Sequence, residues 1–329
     1  MQEVTVVIPN LNGEIYIRPC LDSLRKQTAG SFPILVIDNG SVDGSVKIIR
    51  EEYPEVTLVA LDKNYGFCRA VNEGIKRTKT PYVILLNNDT VCEPDFVLEL
   101  TKAISKDEGC FSCSSKMVRM DNPSLMDNAG DYYCALGWAF ARGKGKVAGN
   151  YSEKCEVFSA CAGAAIYRMS VLEKIGLFDE VHFAYLEDVD VAYRAKIQGY
   201  RNYYIPDAVV RHVGSATSGS VYNDFKVRHS SRNSIYLIYK NMPFLQILLN
   251  FPLLAAGFFI KMVFFIRKGY GKVYITGLWK GIKLCDKSKK VSFCRKNMVH
   301  YCRIQCELWK NTVRRFSGAL PGACRGEKI

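Results

Sequence analysis

Polar side chains that could serve a metal or a phosphate follow an apolar stretch of the chain. Residues 82–86, rich in Val, Ile and Leu, end abruptly at Asn87, Asn88 and Asp89. A short apolar run behind a proline predicts a buried parallel strand. Polar residues at the carboxyl end of such a strand lie where open α/β sheets bind their ligands. The sequence therefore predicts that the end of a strand places the Asp89 carboxylate in a binding cleft.

A second acidic cluster and one histidine complete the candidate set. Glu187, Asp188 and Asp190 lie in the second half of the chain, and His212 follows them. Carboxylate and imidazole together hold divalent cations, which act as Lewis acids on a diphosphate leaving group. We predict Asp89 and His212 as metal ligands, with the alternative that Asp89 only caps a helix. We predict Asp188 as a general base beside another carboxylate, with the alternative that these acids only stabilise a helix N-terminus.

The elements that must position these residues alternate along the first half of the chain. Strand-like segments that alternate with helix-like segments are typical of a parallel sheet covered on both faces. Strands are predicted at residues 4–8, 34–38, 57–60 and 82–86, and helices near 15–27, 42–53, 67–76 and 96–105. The second and fourth strands both end in polar residues, so Asp38 and Asp89 are expected at the same rim of the sheet.

The middle of the chain is less regular. We expect a β-hairpin or ordered loop, a strand of small residues, a helix that ends at Gly199, and two short strands. These segments cover residues 132–141, 161–167, 187–198, and 202–205 with 209–212. The last strand would return His212 to the rim that carries Asp89.

Composition separates a balanced part of the chain from a basic part. The 329 residues are 48% hydrophobic, which suits a large α/β domain with an appendage and excludes a disordered chain. Residues 267–329 hold 16 Lys and Arg against 3 Asp and Glu, so they carry the whole net charge of +13. Residues 1–266 hold 29 of each sign and are neutral.

The amino terminus and the cysteines indicate a compartment. Residues 1–8 lead directly into a predicted core strand and not into a basic, cleavable leader, so we expect the catalytic part in the cytoplasm. The thirteen cysteines are then expected to be reduced thiols, many of them buried. Cys110 and Cys113 form a CxxC without a second matched pair, which argues against a structural zinc.

An almost entirely apolar stretch covers residues 244–266 and is long enough to cross a bilayer. On a helical wheel its polar residues form one narrow stripe. The stripe consists of Gln246, Asn250, Gly257, Lys261 and Lys268. The stripe, Pro252 and the basic tail favour a helix in the membrane interface over a spanning helix, with Trp279 at headgroup level. The alternative is a helix that closes the core of the catalytic domain.

Several ordered motifs of this sequence resemble those of glycosyltransferase family 2, which has the GT-A fold. In the first half the motifs are residues 6–12 (VVIPNLN), 37–41 (IDNGS) and 64–67 (NYGF), with Asn72 and Gly74. In the second half they are residues 163–165 (GAA), 176–180 (GLFDE), 185–190 (YLEDVD) and 199–200 (GY), with Pro206 and His212. The resemblance covers residues 3–240 and is strongest to the rhamnosyltransferase and galactofuranosyltransferase branch.

The resemblance implies an α/β architecture and a role for each matching residue. The GT-A fold is a Rossmann-like, mostly parallel sheet flanked by helices, with residues 1–108 binding the nucleotide and 109–240 the acceptor. Asp188 would deprotonate the acceptor hydroxyl, and Asp89 with His212 would hold Mg²⁺ or Mn²⁺. The implied donor-nucleotide residues are Pro9, Leu11, Asp38, Asn64, Gly66, Asn72, Asn88 and Asp89. The implied supporting residues on the acceptor side are Glu187, Asp190 and Gly163.

One departure and three competing functions bear on this prediction. The family's metal motif often carries two or three aspartates, whereas Asn87 and Asn88 leave only Asp89 here. A sugar-phosphate nucleotidyltransferase would need a Gly-rich basic loop after the first strand, but residues 9–13 offer one glycine and no Lys or Arg. A dinucleotide oxidoreductase would need a GxGxxG turn there. Nucleic-acid binding by the basic tail would leave the acidic clusters unexplained.

We therefore predict an inverting, metal-dependent glycosyltransferase at the cytoplasmic face of the cell membrane. Its donor would be a dTDP- or UDP-sugar that carries rhamnose or a hexose. Its acceptor would be a hydroxyl of a lipid-linked or cell-surface glycan. Residues 241–329 would form a C-terminal amphipathic helix and a basic tail that bind a membrane surface rich in anionic lipids, and no nucleic acid is expected as a partner.

Overall fold

A ten-stranded sheet forms the centre of the protein in a computed structural model, which describes residues 3–214 and 222–317. The strands are β1 (Val4–Asn10), β2 (Ile34–Asp38), β3 (Thr57–Ala60), β4 (Tyr82–Leu86), β5 (Thr90–Cys92), β6 (Cys110–Arg119), β7 (Met126–Asn128), β8 (Asp131–Tyr133), β9 (Ala139–Ala141), β10 (Cys155–Val157), β11 (Ala164–Arg168) and β12 (Arg201–His212). The helices are α1 (Ile17–Arg25), α2 (Ser45–Glu52), α3 (Phe67–Arg77), α4 (Phe96–Ser105), α5 (Met169–Ile175), α6 (Glu187–Ile197), α7 (Asp224–Asn241), α8 (Phe244–Arg267), α9 (Gly271–Lys283) and α10 (Met298–Phe316).

The first half of the chain forms the parallel part of the sheet. The strand order is β10-β12-β6-β11-β4-β1-β2-β3, with β5 beside β12 and β7 beside β6. β1 pairs in parallel with β2 and β4, and β2 pairs in parallel with β3. Strands β2 and β4 are fully buried, because helices cover both faces of the sheet. The predicted alternation of strands and helices is therefore confirmed, and the carboxyl ends of β1, β2 and β4 share one rim.

The middle of the chain brings His212 to that rim in a different way from the one expected. Residues 201–212 form one continuous strand, β12, instead of two short strands. Its pairing with β6 shifts register between Ile205 and Val209. Pro206 lies in this interval and has no N–H to donate, so the ladder is interrupted there while the strand continues. The predicted hairpin is confirmed as the separate two-stranded pair β8–β9.

Helix α8 turns its polar stripe toward the protein. Gln246 accepts a hydrogen bond from the Tyr193 hydroxyl (2.8 Å), and the Asn250 and Gln305 side chains exchange two hydrogen bonds of 2.8 Å each. The Trp138 indole donates to the Gly257 carbonyl (3.1 Å). This inner face agrees with the alternative of a helix that closes the core.

The outer face of α8 is apolar and exposed. Its exposed side chains are Phe244, Leu245, Leu248, Leu249, Phe251, Phe259, Ile260, Phe264 and Ile266. Within the described ranges, α8 is the one helix long and apolar enough to cross a membrane, and 17% of its apolar window is buried. A large exposed apolar surface of this kind marks a site of membrane or protein contact.

Candidate active site

Asp89 and His212 meet where two strands pair. β5 begins directly after Asp89 and pairs antiparallel with the end of β12, so that His212 lies opposite Thr90. Asp89 Oδ1 is 3.3 Å from His212 Nε2, and the two side chains are 6% and 13% exposed. Two ligand atoms about 3 Å apart suit one divalent cation at about 2.1 Å from each. A carboxylate oxygen and an imidazole nitrogen form a donor set that fits Mn²⁺ or Mg²⁺.

Asp127 is a third member of this group that the sequence analysis missed. Its Oδ2 lies 2.7 Å from His212 Nδ1, and Lys144 Nζ lies 3.4 Å from its Oδ1. Burial lowers the pKa of His212, but the contacts with Asp127 and Asp89 outweigh burial and raise this pKa to about 9. A carboxylate on one ring nitrogen orients the other nitrogen for a metal. Asp127 lies in the short strand β7 and matches no motif, so no signal in the sequence identified it.

Asp188 lies in a second cluster with two residues that the sequence analysis did not predict. Ligand atoms of Asp131, Cys161 and Asp188 all lie within 4.8 Å of one another. Burial and the neighbouring Asp188 raise the pKa of Asp131 to about 8, and burial raises the pKa of Asp188 and of the Cys161 thiol. A protonated carboxyl and a neutral thiol are poor ligands for a hard cation. Two carboxyls that share a proton are instead suited to acid–base chemistry.

The two clusters adjoin at the turn between β7 and β8. Asn128, which follows Asp127, donates to Asp131 Oδ1 at 2.9 Å. The charge of Asp127 also contributes to the raised pKa of Asp131. The candidate metal group, through Asp127, and the cluster of Asp188, through Asp131, therefore meet at one turn.

A strained loop precedes Asp188. Phe183, Tyr185 and Leu186 have φ angles of 62°, 72° and 68°, a left-handed conformation that costs about 1–3 kcal/mol for each non-glycine residue. The Asn233 amide of α7 lies 2.9, 2.9 and 2.7 Å from the carbonyls of residues 182, 184 and 185. Arg232 donates to the carbonyls of residues 181 and 182. Helix α7 therefore holds the loop from which α6 and Asp188 begin.

The same loop touches the predicted donor side. The Cys68 N–H donates to the Phe183 carbonyl (3.3 Å). Gly66 has φ 89°, and a Cβ on it would lie 2.6 Å from the Phe183 ring, so no other residue fits there without a shift. Asn64 accepts hydrogen bonds from the Gly66 N–H and the Asn39 amide. Asn64 and Gly66 thus shape the connection between β3 and α3, which contacts Asn39 after β2 and Phe183 of this loop.

A buried chain of polar side chains crosses the rim at the ends of β1, β2 and β4. Asn88 donates to Asn10 Oδ1 at 2.7 Å, and Asn10 donates to Asp38 Oδ1 at 2.8 Å. Asp38 also accepts from the N–H and hydroxyl of Ser41. Asn10, missed as a site residue by the sequence analysis, therefore joins two predicted donor residues. Pro9 and Leu11 flank it and are half-buried.

The remaining predicted residues form hydrogen bonds that stabilise the elements around the site. The Asn72 amide is bonded to the backbone of Phe178, so it ties α3 to the segment before the strained loop. Asp190 is fully buried and bonds Arg194, Lys240 and Asn241, so the pKa of its carboxyl lies well below the usual value despite burial. The Gly163 carbonyl accepts the Asn87 N–H (2.8 Å).

Glu187 differs from Asp190 in its environment. It is 8% exposed, and its Oε2 has no hydrogen-bond partner among the described residues. Burial and the charge of Asp188 raise the pKa of Glu187 to about 8. Glu187 is therefore largely protonated at neutral pH beside Asp188.

Solved structures show the same fold over nearly the whole chain. Staphylococcus aureus TarS 1–349 in complex with UDP-GlcNAc matches 96% of this chain and 92% of its own, with a TM-score of 0.58 and 18% identity. The mannosyltransferase PcManGT from Pyrobaculum calidifontis in complex with GDP-Man and Mn²⁺ matches 96% of this chain and 88% of its own, with a TM-score of 0.53 and 15% identity. These likenesses confirm the GT-A fold.

Sequence relatives agree with the fold. The N-acetylglucosaminyl-diphospho-decaprenol L-rhamnosyltransferase of Mycobacterium tuberculosis is 24% identical over 242 residues, which cover 66% of this chain and 78% of the relative. With several other curated relatives the match spans only 13% to 37% of their length. The family model described as glycosyl transferase family 2 matches residues 5–176, which is more than half of the chain. The chain therefore belongs to glycosyl transferase family 2.

Proposed function

We propose that this protein transfers a sugar from a nucleoside-diphosphate sugar to an acceptor hydroxyl, with inversion at the anomeric carbon. One observation carries the proposal: Asp89 and His212, far apart in sequence, lie 3.3 Å apart at the rim where the polar ends of β1, β2 and β4 also meet. Family membership and neighbours crystallised with UDP-GlcNAc or GDP-Man support a nucleotide-sugar donor.

The donor diphosphate would lie against Asp89 and His212. A neighbour crystallised with Mn²⁺ supports Mn²⁺ or Mg²⁺ as the cation, which would neutralise the leaving diphosphate as a Lewis acid. Asp127 keeps the His212 ring turned toward Asp89. The chain Asn88–Asn10–Asp38 would order the nucleotide side of the pocket, with Pro9 and Leu11 beside the base.

Asp188 would act as the base. The acceptor hydroxyl gives its proton to the Asp188 carboxylate while its oxygen bonds to the anomeric carbon. The bond from that carbon to the diphosphate oxygen breaks, and the electron pair leaves with the diphosphate. Attack opposite the leaving group inverts the anomeric configuration. Burial and the charge of Asp188 raise the pKa values of Asp131 and Glu187 to about 8, which supports Asp188 as the group of this cluster that ionises first.

We also propose that the acceptor is lipid-linked and that the protein contacts the membrane. The mycobacterial relative is named for a diphospho-decaprenol acceptor, which supports a lipid-linked acceptor here, and its name also favours rhamnose over a hexose. The exposed apolar face of α8 would rest on the cytoplasmic face of the membrane as a monotopic surface. Residues 241–317 and the tail 318–329, which lies outside the described residues, would form this membrane-binding part, and residues 1–240 the catalytic part.

A binding panel followed by a transfer assay tests the function. Thermal stability is measured with UDP, dTDP, GDP and their sugars, with and without Mn²⁺, because a ligand that binds the folded state raises the melting temperature. We expect selective stabilisation by one nucleotide sugar, larger with Mn²⁺, and sugar transfer to a lipid-linked acceptor that EDTA stops. Full transfer in EDTA would refute the metal assignment, and no binding of any nucleotide sugar would refute the function.

A further inference from the structure

Four aromatic rings form a partly exposed ridge beside the strained loop. The ridge comprises Phe183 and Tyr185 of the loop and Phe225 and His229 of α7. Phe225 lies 4.4 Å from His229 and 6.1 Å from Tyr185, and Phe183 stacks on His229 at 5.3 Å, measured between ring centroids. Phe225 is 42% exposed, so the ridge is open to a ligand.

The ridge adjoins both reacting partners of the proposed transfer. Phe183 packs on Gly66, on the donor side of the site. Leu186 ends the loop, and α6 then begins with Glu187 and Asp188. A ring-shaped ligand on the ridge would therefore lie between the donor pocket and the proposed base.

Two cations lie next to the ridge without a carboxylate partner. Gly277 and Gly281 allow α9 to approach α7 closely: a Cβ on them would lie 2.9 Å from the Arg228 carbonyl and 2.4 Å from the Arg232 carbonyl. This packing brings α9 to α7, and the charges of both Arg228 and Lys280 act on His229 of the ridge. In residues 3–214 and 222–317 no acidic side chain forms an ion pair with Arg228 or Lys280, and both are exposed. Burial and the charges of Arg232, Arg228 and Lys280 lower the pKa of His229 to about 4.

The far end of the ridge leads to the apolar surface of α8. Tyr222, three residues before Phe225, contacts Phe264 (5.6 Å) and Phe265 (5.8 Å) between ring centroids. The Tyr270 hydroxyl donates to the Tyr222 carbonyl (3.1 Å). Tyr222 thus joins the ridge to the apolar surface of α8, while Arg228 and Lys280 lie near His229 of the ridge.

We propose that Arg228 and Lys280 bind the diphosphate of a lipid-linked acceptor, that the aromatic ridge holds its sugar, and that its hydrocarbon chain lies along α8. This inference rests on the proposed function and names the acceptor subsite. Exposed guanidinium and ammonium groups suit a diphosphate, which carries more charge than an ordinary lipid phosphate. The C–H face of a sugar ring is buried well on an aromatic ring. Cationic, aromatic and apolar groups adjoin one another here, as the diphosphate, sugar and lipid of such an acceptor do.

Vesicle binding by the full-length protein tests the subsite. The probes are phosphatidylcholine vesicles that contain geranylgeranyl diphosphate, and vesicles with phosphatidylglycerol at equal total charge. We expect wild type to bind the diphosphate vesicles about tenfold more tightly, and Arg228→Gln/Lys280→Gln to lose this difference. The control variant Lys47→Gln/Arg50→Gln removes two exposed charges from α2 and should retain the preference for diphosphate vesicles. Equal binding of wild type to both vesicles, or an unchanged difference in the Arg228/Lys280 variant, would overturn the proposal.

A second measurement separates this inference from the proposed function. Arg228 and Lys280 are exposed, so their variant should fold and bind the nucleotide sugar as wild type does, while its KM for a lipid-diphosphate acceptor rises about tenfold. If wild type binds the diphosphate vesicles selectively but binds no nucleotide sugar, the proposed function fails and the subsite stands. If donor binding and transfer are intact but the acceptor KM of the variant is unchanged, the subsite fails alone.

Discussion

His212 Nδ1 lies 2.7 Å from Asp127 Oδ2, while His212 Nε2 faces Asp89 Oδ1 at 3.3 Å. The imidazole therefore lies between two carboxylates that have different tasks. Asp127 binds His212 Nδ1, so His212 Nε2 can coordinate a cation together with Asp89.

Removal of the Asp127 charge should weaken the metal site without removing a ligand. Asp127→Asn is expected to lower the apparent Mn²⁺ affinity about 10- to 100-fold, because an amide orients and polarises the imidazole less than a carboxylate does. The measurement is transfer rate against Mn²⁺ concentration. The exposed Asp121→Asn is the matched control and should leave the titration unchanged. If the transfer rate depends on Mn²⁺ concentration in the same way in Asp127→Asn and in wild type, Asp127 does not support the metal site.

Loss of the base should affect turnover and spare donor binding. Asp188→Asn is expected to reduce kcat about 10²- to 10⁴-fold, the usual contribution of a general base. Donor affinity, measured by calorimetry, should change little. The raised pKa of Asp188 predicts that wild-type activity falls as pH drops through a value above the usual 3.8, because the carboxylate must be ionised to accept a proton. A variant with near-normal turnover would exclude Asp188 as the base.

The buried Asp131 should make stability depend on pH. Its pKa is raised from 3.8 to about 8, so the folded protein holds this proton more tightly than the unfolded chain. The stabilisation is complete below about pH 4 and is lost as pH rises through 8, by up to about 1.4 kcal/mol per pH unit. Asp131→Asn cannot ionise and should melt at a higher temperature than wild type at pH 8.5, with little difference at pH 4. A melting difference independent of pH would contradict this account.

Asn233 should act as a positioning residue for Asp188. Asn233→Ala leaves three loop carbonyls without their amide donor, so the strained loop is expected to shift and kcat to fall about tenfold to a hundredfold. Asn250→Ala is the matched control, because it removes an equally buried amide from α8. Both variants should lose stability, but only Asn233→Ala should lose kcat when both are assayed well below their melting temperatures. If Asn233→Ala and Asn250→Ala have equal kcat values, Asn233 has only a structural role.

The outer face of α8 should carry membrane binding. Leu245→Ser/Leu249→Ser removes two side chains that are 73% and 55% exposed, so sedimentation with anionic vesicles should weaken about tenfold or more. Ile15→Ser/Val42→Ser removes two aliphatic side chains of the catalytic part that are 72% and 91% exposed, and it is the control. Vesicle binding that is equal in the two variants would show that α8 does not contact the membrane.

Local patterns accounted for most of the sheet. The strands at residues 34–38, 57–60 and 82–86 have the predicted bounds. The first and the last of them are buried strands, which are short apolar runs between turn residues. Strand β12 covers the residues predicted as two short strands, and Pro206 lies between those two segments. Its pairing with β6 on both sides of the proline joins the pieces, and this pairing is a long-range contact.

The orientation of α8 also depends on contacts between residues that are distant in sequence. The wheel of residues 244–266 identified a polar stripe, but a stripe can face water or face protein. The hydrogen bonds to Tyr193, Gln305 and Trp138 decide that it faces protein. The apolar side is therefore the exposed one.

The sequence by itself determined the family, the α/β order of elements and the polar strand ends, because these depend on residues close together in the chain. Only the tertiary structure decided which side chains meet. Asp127, Asp131 and Asn233 lie in no motif, and Asn10 lies in a motif that assigned it no role. Each joins the site through a contact with a residue from another element. Such contacts depend on strand register and helix packing, which no local pattern of residues specifies.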